Sequence, residues 1–158
     1  MTAPTEFLAL DDVLDLCHRL LGDPPPIRDI GLLGSAVARP QTSIGGTDAY
    51  PTITEKAAAL LQSLVIHHAL IAGNRRLGWL ATAVFLEINH LSVAHVSNDD
   101  VFDLVMHIAS TNPPLSEIEE RLRAMTSELN RVRADTKFMS RARELVERDR
   151  EILDELGK

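Results

Sequence analysis

Residues 77–88 read LGWLATAVFLEI, a segment whose only polar side chains are Thr82 and Glu87. Its helical stripe is Leu77, Ala81, Val84, Phe85 and Ile88, but the positions between are also largely apolar, so no face is left for water. A helix of this kind must be surrounded by other elements. It cannot cross a bilayer, because Arg75 and Arg76 precede it and His90 closely follows it. The expected fold is therefore all-α, a compact bundle around one central apolar helix.

The remaining composition suits that frame. A chain of 158 residues, 45% hydrophobic and 25% charged, fits one domain with a real core. A net charge of -7 argues against general nucleic-acid or anionic-membrane binding, and 4% aromatics leaves few stacking surfaces for bases. The lone cysteine, Cys17, excludes an intrachain disulfide and is expected to be a small buried apolar residue. No basic start with a long apolar run opens the chain, so a cytoplasmic protein is expected.

Helix signals divide the chain. Asp11 is the expected N-cap of a first helix with Val13, Leu14, Leu20 and Leu21 on its apolar side, stopped by Gly22 and Pro24–Pro26. Asp29 is expected to cap a short second helix ending before Pro40. QTSIGGTDAYP is Gly-rich and non-periodic, which predicts a loop or small hairpin. Thr52 and Glu55 form a capping box for a helix with the stripe Ala58, Leu61, Leu64 and Val65, whose next member in register is His68. Gly73 is expected to end that helix and Asn74 to cap the central one. Asn98 is the expected cap of a helix with Val101, Leu104, Val105 and Ile108 inward, broken by Pro113 and Pro114; Ser116 and Glu119 read as a second capping box. From Ile118 the spacing becomes four-three (Leu122, Met125, Leu129, Val132), and a similar rhythm returns at Phe138, Ala142, Leu145, Ile152 and Leu156. This divides the chain into a main domain, 1–122, and an Arg/Glu-rich amphipathic helical extension, 123–158.

The junction HHALIAGNRR, residues 67–76, carries the chemistry. A helix starting there offers free backbone N–H groups and the positive end of its dipole, Gly73 permits close approach, and Arg75 and Arg76 add forked donors. Two cations oppose the dipole; a docked phosphate would reverse that conflict. His68 ends the preceding helix nearby, and an imidazole suits a base that takes a proton from a hydroxyl. Phosphoryl or nucleotidyl transfer to a hydroxyl is the expected chemistry. His67 is a neighbour of the base, and His18, His90, His95 and His107 have no ligand spacing, so no metal site is assigned to them.

The same register, His68, Leu70, Ala72, Gly73, Asn74, Arg75 and Arg76, resembles the Fic/Doc superfamily motif. The flanks IRDIGLLGSAVARPQTSIGG, AYPTITEKAAALLQSLV and WLATAVFLEIN resemble death-on-curing (Doc) toxins over roughly residues 7–122. The resemblance implies a toxin of a toxin–antitoxin pair that uses ATP and Mg²⁺. It implies phosphoryl transfer to a threonine of the translation elongation factor EF-Tu, with Fic-type AMP transfer as the alternative. His68 would be the base; Gly73, Asn74, Arg75 and Arg76 would form the phosphate cradle. Thr42, Ser43, Ile44, Gly45 and Gly46 would lie in a flap that docks the target. A Phd-type antitoxin would be the partner.

Three motif positions depart from the family. Leu70 replaces Phe, a packing change. Arg75 stands where Fic enzymes have glycine and Doc proteins lysine, which favours the Doc arrangement. Ala72 replaces the acidic residue that orients magnesium, and alanine offers no oxygen ligand, so impaired activity or a partner-binding role alone follows from this position. In the tail, Ser140 and Glu144 have the spacing of a self-inhibitory Fic motif, but Leu145 stands where Gly or Asn would follow. The tail is expected to pack on the core or self-associate, with an internal antitoxin-like helix as the functional reading.

Overall fold

The computed structural model describes residues 4–128 and 138–157, with side chains in the second stretch from residue 142 onward. The fold is all-α, as the sequence predicts. In chain order the described elements are α1 (Leu10–Leu21), α2 (Ile30–Ala38) running into a 3₁₀ turn at Arg39–Gln41, β1 (Ser43–Ile44), β2 (Thr47–Asp48), α3 (Ile53–Ile66), α4 (Asn74–Ile88), β3 (Leu91–Ser92), α5 (Asn98–Thr111), α6 (Leu115–Met125), β4 (Ser127–Glu128), α7 (Phe138–Arg148) and α8 (Arg150–Leu156).

Helix α4 is the central one. Every residue from Leu77 to Glu87 is buried, and α1, α3, α5, α7, α8 and β3 pack against it. Helix α3 packs tightly on it at Gly78, where a Cβ would stand 2.9 Å from Val65 Cγ2. Buried Thr82 satisfies its hydroxyl within the helix by donating to the Gly78 carbonyl at 2.7 Å. The extended lead-in is tied to the end of α4: Glu6 N–H donates to Asn89 Oδ1 at 2.8 Å, and Asn89 Nδ2 returns a bond to the Glu6 carbonyl at 2.9 Å. Cys17 is fully buried, and burial pushes its thiol pKa up, which keeps thiolate scarce. Among the described residues no helix is long and apolar enough to cross a membrane.

The Gly-rich segment is a hairpin, with Ser43 opposite Asp48 and Ile44 opposite Thr47. Gly45 and Gly46 form its two-residue turn at φ 59° and 82°, a left-handed pair that glycine adopts without strain. Its base is anchored on α3 by Lys56, a 2%-exposed cation that donates to Asp48 Oδ2 at 3.1 Å and to the Tyr50 carbonyl. Arg39 adds a second anchor, donating to the Tyr50 hydroxyl at 3.0 Å and to Gln62 Oε1 and Ser63 Oγ at 2.9 Å each. A second two-residue ladder, Leu91 opposite Glu128 and Ser92 opposite Ser127, joins the segment after α4 to that after α6; its strands are too short to leave a sequence signal.

Several helix ends differ from the sequence reading. Helix α1 starts after Ala9, whose N–H is taken by Asp12 Oδ2 at 2.8 Å, so Asp12 rather than Asp11 satisfies the start. Asp29 caps α2 as expected, accepting from Leu32 N–H at 3.0 Å. Thr52 caps α3 through Glu55 N–H, and its hydroxyl meets the Glu55 carboxylate. The cap of α5 is Ser97, one residue before Asn98, because the Ser97 hydroxyl reaches Asp100 N–H. Ser116 caps nothing: α6 begins at Leu115 behind Pro114, and Glu119 accepts from the Thr54 hydroxyl at 2.9 Å instead.

The tail contributes to the core. Ala142, Leu145, Ile152, Leu153 and Leu156 are buried with the main cluster. Arg148 Nη1 donates to Glu87 Oε1 at 2.7 Å, tying α7 to the one carboxylate inside α4. Burial opposes the Arg148 charge, but its bonds to Asp149 and Glu87 outweigh that and raise its pKa. Leu129 and Val132, and the side chains of Phe138 and Ser140, lie outside the described residues.

Gly78→Ala tests the close approach of α3 and α4. Alanine would improve helix propensity by about 1 kcal/mol, whereas overpacking a filled core costs about 1–3 kcal/mol. Urea unfolding should show a net loss of stability; a gain would mean that Val65 yields.

Candidate functional site

The site is built at the α3–α4 junction, and its first residue departs from the helical register. Helix α3 ends at Ile66 with His67 as C-cap, its N–H donating to the Ser63 carbonyl at 3.0 Å. His68 is outside the helix, exposed, at φ 51°. It does not continue the Leu61–Leu64–Val65 stripe inward, and it, rather than Gly73, makes the left-handed exit from α3. Such a conformation in a non-glycine residue costs on the order of 1–3 kcal/mol and persists only where the surroundings enforce it.

The carbonyls of this turn are held by a side chain from 40 residues earlier. Arg28 Nε donates to the His68 carbonyl at 2.8 Å, Nη2 donates to the same oxygen, and Nη2 reaches the His67 carbonyl at 3.4 Å. The backbones also pair. Arg28 and Asp29 N–H groups donate to the Ala69 carbonyl at 2.8 and 3.0 Å, and Ile71 N–H donates to the Pro26 carbonyl at 2.8 Å.

The loop then closes on itself. Asn74 Oδ1 accepts from Leu70 N–H and Asn74 Nδ2 donates to the Leu70 carbonyl, both at 3.0 Å. Asn74 is thus the first residue of α4 and not its cap; the N-cap is Gly73, at φ 90°. A Cβ on Gly73 would fall 2.7 Å from Leu21 Cδ1, so both conformation and space call for glycine there. The first turn of α4 carries no acidic residue, and it holds half-buried Arg75 and Arg76.

A pocket of about 250 Å³ opens at this junction, with His68, Gly73, Asn74 and Arg75 on one side and Leu156 and Gly157 on the other. The end of α8 therefore forms one wall. Arg75 Nε donates to the Leu156 carbonyl at 3.1 Å. Gly157 lies against Arg76 so closely that a Cβ would stand 2.8 Å from its Nε, and that Nε is buried without a hydrogen-bond partner. Ligand pockets usually run from about 300 Å³ upward, so the pocket is small while α8 stands in it.

The sequence-selected residues 68 and 73–75 thus line one pocket, with Arg76 beside it. The hairpin residues Thr42, Ser43, Ile44, Gly45 and Gly46 do not line it; Ile44 is 73% exposed at the hairpin. Ala72 is exposed in the loop before Gly73. The donor set, helix N–H groups with two guanidinium groups, fits a phosphate. It does not fit a protein-held magnesium ion: no three His, Cys, Asp or Glu side chains cluster among the described residues, and Ala72 has no oxygen to offer. Sequence reasoning missed Arg28, Leu156 and Gly157, which act on the site across long sequence separations through main-chain atoms.

The family described as Fic/DOC matches residues 7–86. "Toxin Doc" of Mycolicibacterium smegmatis is 44% identical over 119 residues, covering 75% of this chain and 92% of that protein. No solved structure matches the chain.

Asn74→Ala would strand the buried Leu70 N–H, and an orphaned buried donor costs about 1–3 kcal/mol. Hydrogen exchange at the Leu70 amide should accelerate while amides in the middle of α4 stay protected. Unchanged exchange would mean that Asn74 does not close the loop.

Proposed function

The chain belongs to the Fic/DOC family, and on that premise we propose that it is a Doc-like toxin that moves a phosphoryl group from ATP to a hydroxyl of a protein target. The single observation that carries this reading is that His68 and the start of α4, Gly73–Arg75, line one pocket. The expected target is the elongation factor EF-Tu in the cytoplasm, and the expected partner is a Phd-type antitoxin.

Each residue has a role that its chemistry supports. Arg75 and Arg76 supply charge-assisted donors to the ATP phosphates, beside the free N–H groups of the first turn of α4. Cations at a helix start oppose its dipole by about 0.3–1 kcal/mol each; bound phosphate turns that opposition into attraction. Asn74 shapes the cradle by holding Leu70, and Gly73 lets phosphate approach the backbone. His68 takes the proton as the target hydroxyl oxygen bonds to the γ-phosphorus. The bond from that phosphorus to its bridging oxygen breaks, and ADP leaves. Ala72 has no oxygen with which to anchor magnesium, so this chain's own contribution to the phosphates is the cradle of N–H groups and arginines.

Label from γ-phosphate should appear on purified EF-Tu and label from α-phosphate should not. His68→Ala should lower transfer by about 10²–10⁴-fold with ATP affinity retained, and Ala72→Asp should raise it. Transfer of α-label would make the protein an AMP transferase. Absence of ATP binding in both the parent and Ala72→Asp would leave a partner-binding protein instead.

The α8 wall adds a proposal about the tail: Leu156 and Gly157 restrain the cradle by holding Arg75 and covering Arg76. Deleting these residues should tighten ATP binding in calorimetry. Unchanged affinity would make α8 a structural helix only.

A further inference from the structure

His68 has two places it could go. Two more residues of α3 would carry it onto the inward stripe of Leu61, Leu64 and Val65; the observed left-handed turn instead leaves it exposed and lining the pocket with Gly73 and Arg75. Local preference does not decide between these: histidine enters the left-handed region more readily than most non-glycine residues, as His90 also does at φ 69°, but that region stays uncommon for it.

We propose that Arg28 is a positioning residue for His68: its guanidinium, closed on the last carbonyls after α3, sets the backbone turn that presents the imidazole to the pocket. This rests on the reading of His68 as the base. The contact is a fork on main-chain oxygen, with Nε at 2.8 Å and Nη2 on the same His68 carbonyl, and with the longer reach to His67 at 3.4 Å. These carbonyls stand at the negative end of the α3 dipole, so a fixed cation is favoured there. Arg28 is itself held in place, because residues 26–29 pair by backbone with residues 69–71. The neighbouring Asp29 commits its carboxylate to capping α2 through Leu32 N–H. Lysine would substitute only in part, since a single ammonium keeps the charge but lacks the planar fork. Arg28 is exposed, so its loss should act on this turn and leave the core intact.

Full-length Arg28→Ala and Arg28→Lys test this by two independent readouts. The NMR coupling constants that report φ should show a positive value at His68 in the parent, a lost or averaged one in Arg28→Ala, and an intermediate one in Arg28→Lys. The γ-phosphate transfer rate, measured in the Ala72→Asp background if the parent is too slow, should fall by about 10²-fold in kcat with KM for ATP and the melting temperature unchanged. A positive φ retained at His68 in Arg28→Ala overturns the proposal. So does a fall in kcat that comes with a raised KM or a lowered melting temperature, the sign of general loosening. If His68→Ala transfers as fast as the parent while φ still depends on Arg28, the base reading is what fails, and the turn remains under Arg28 control.

Discussion

Between Leu77 and Glu87 helix α4 has no side that faces water, and the neighbouring elements are arranged by that requirement. Apolar burial is the dominant favourable contribution to folding, and α4 lies at the centre of the buried cluster. It also fixes the site. With α4 locked along its length by α1, α3, α7 and α8, its N-terminus has one position, and the loop from His67 to Gly73 must end there. Gly78 lets α3 come close enough for the two helices to share a junction, and Leu21 of α1 fills the space beside Gly73. A rigid helix start carrying two arginines is thereby delivered next to an exposed histidine.

Charge is distributed with the same economy. Inside the bundle the cations are well supplied with acceptors: Lys56 pairs with Asp48, Arg148 with Glu87, and Arg39 donates to several neutral hydroxyl, amide and carbonyl oxygens. At the cradle the pattern changes. Among the described residues, Arg75 bonds only a backbone carbonyl, and a buried nitrogen of Arg76 bonds nothing. Cations handled this way beside a helix N-terminus are poised for an anion from outside the chain. The unmatched pair marks the site more clearly than any single motif position does.

The central helix, the stripes of α3 and α5, the Asp29 cap and the hairpin were legible in the sequence because each rests on neighbours a few residues apart. Helix starts slipped by a residue or so where two cap-capable groups stand close together, as at Ser97 and Asn98 or at Asp11 and Asp12, and only geometry chooses between them. Ser116 failed as a cap because Pro114 already sets the start of α6. The site residues were legible by type and spacing, but their backbone was not. Periodicity put His68 in the core, and it took Arg28, 40 residues away, to turn it out. The contact between α8 and the cradle was equally silent, since it runs through the carbonyl of Leu156 and the bare Cα of Gly157.

That main-chain contact has a consequence for how the chain can diverge. A grip on a carbonyl is blind to the side chain that residue 156 carries, so point substitutions there leave the grip of Arg75 in place as long as the helix forms. Moving the carbonyl requires a shift of register, and register changes with length. The gain or loss of a single codon in α8 would rotate a different group toward Arg75 and Arg76 by about 100°. Across a lineage, the openness of this cradle would be set by insertions and deletions near the C-terminus, while the substitution record of the same helix would report only on its packing.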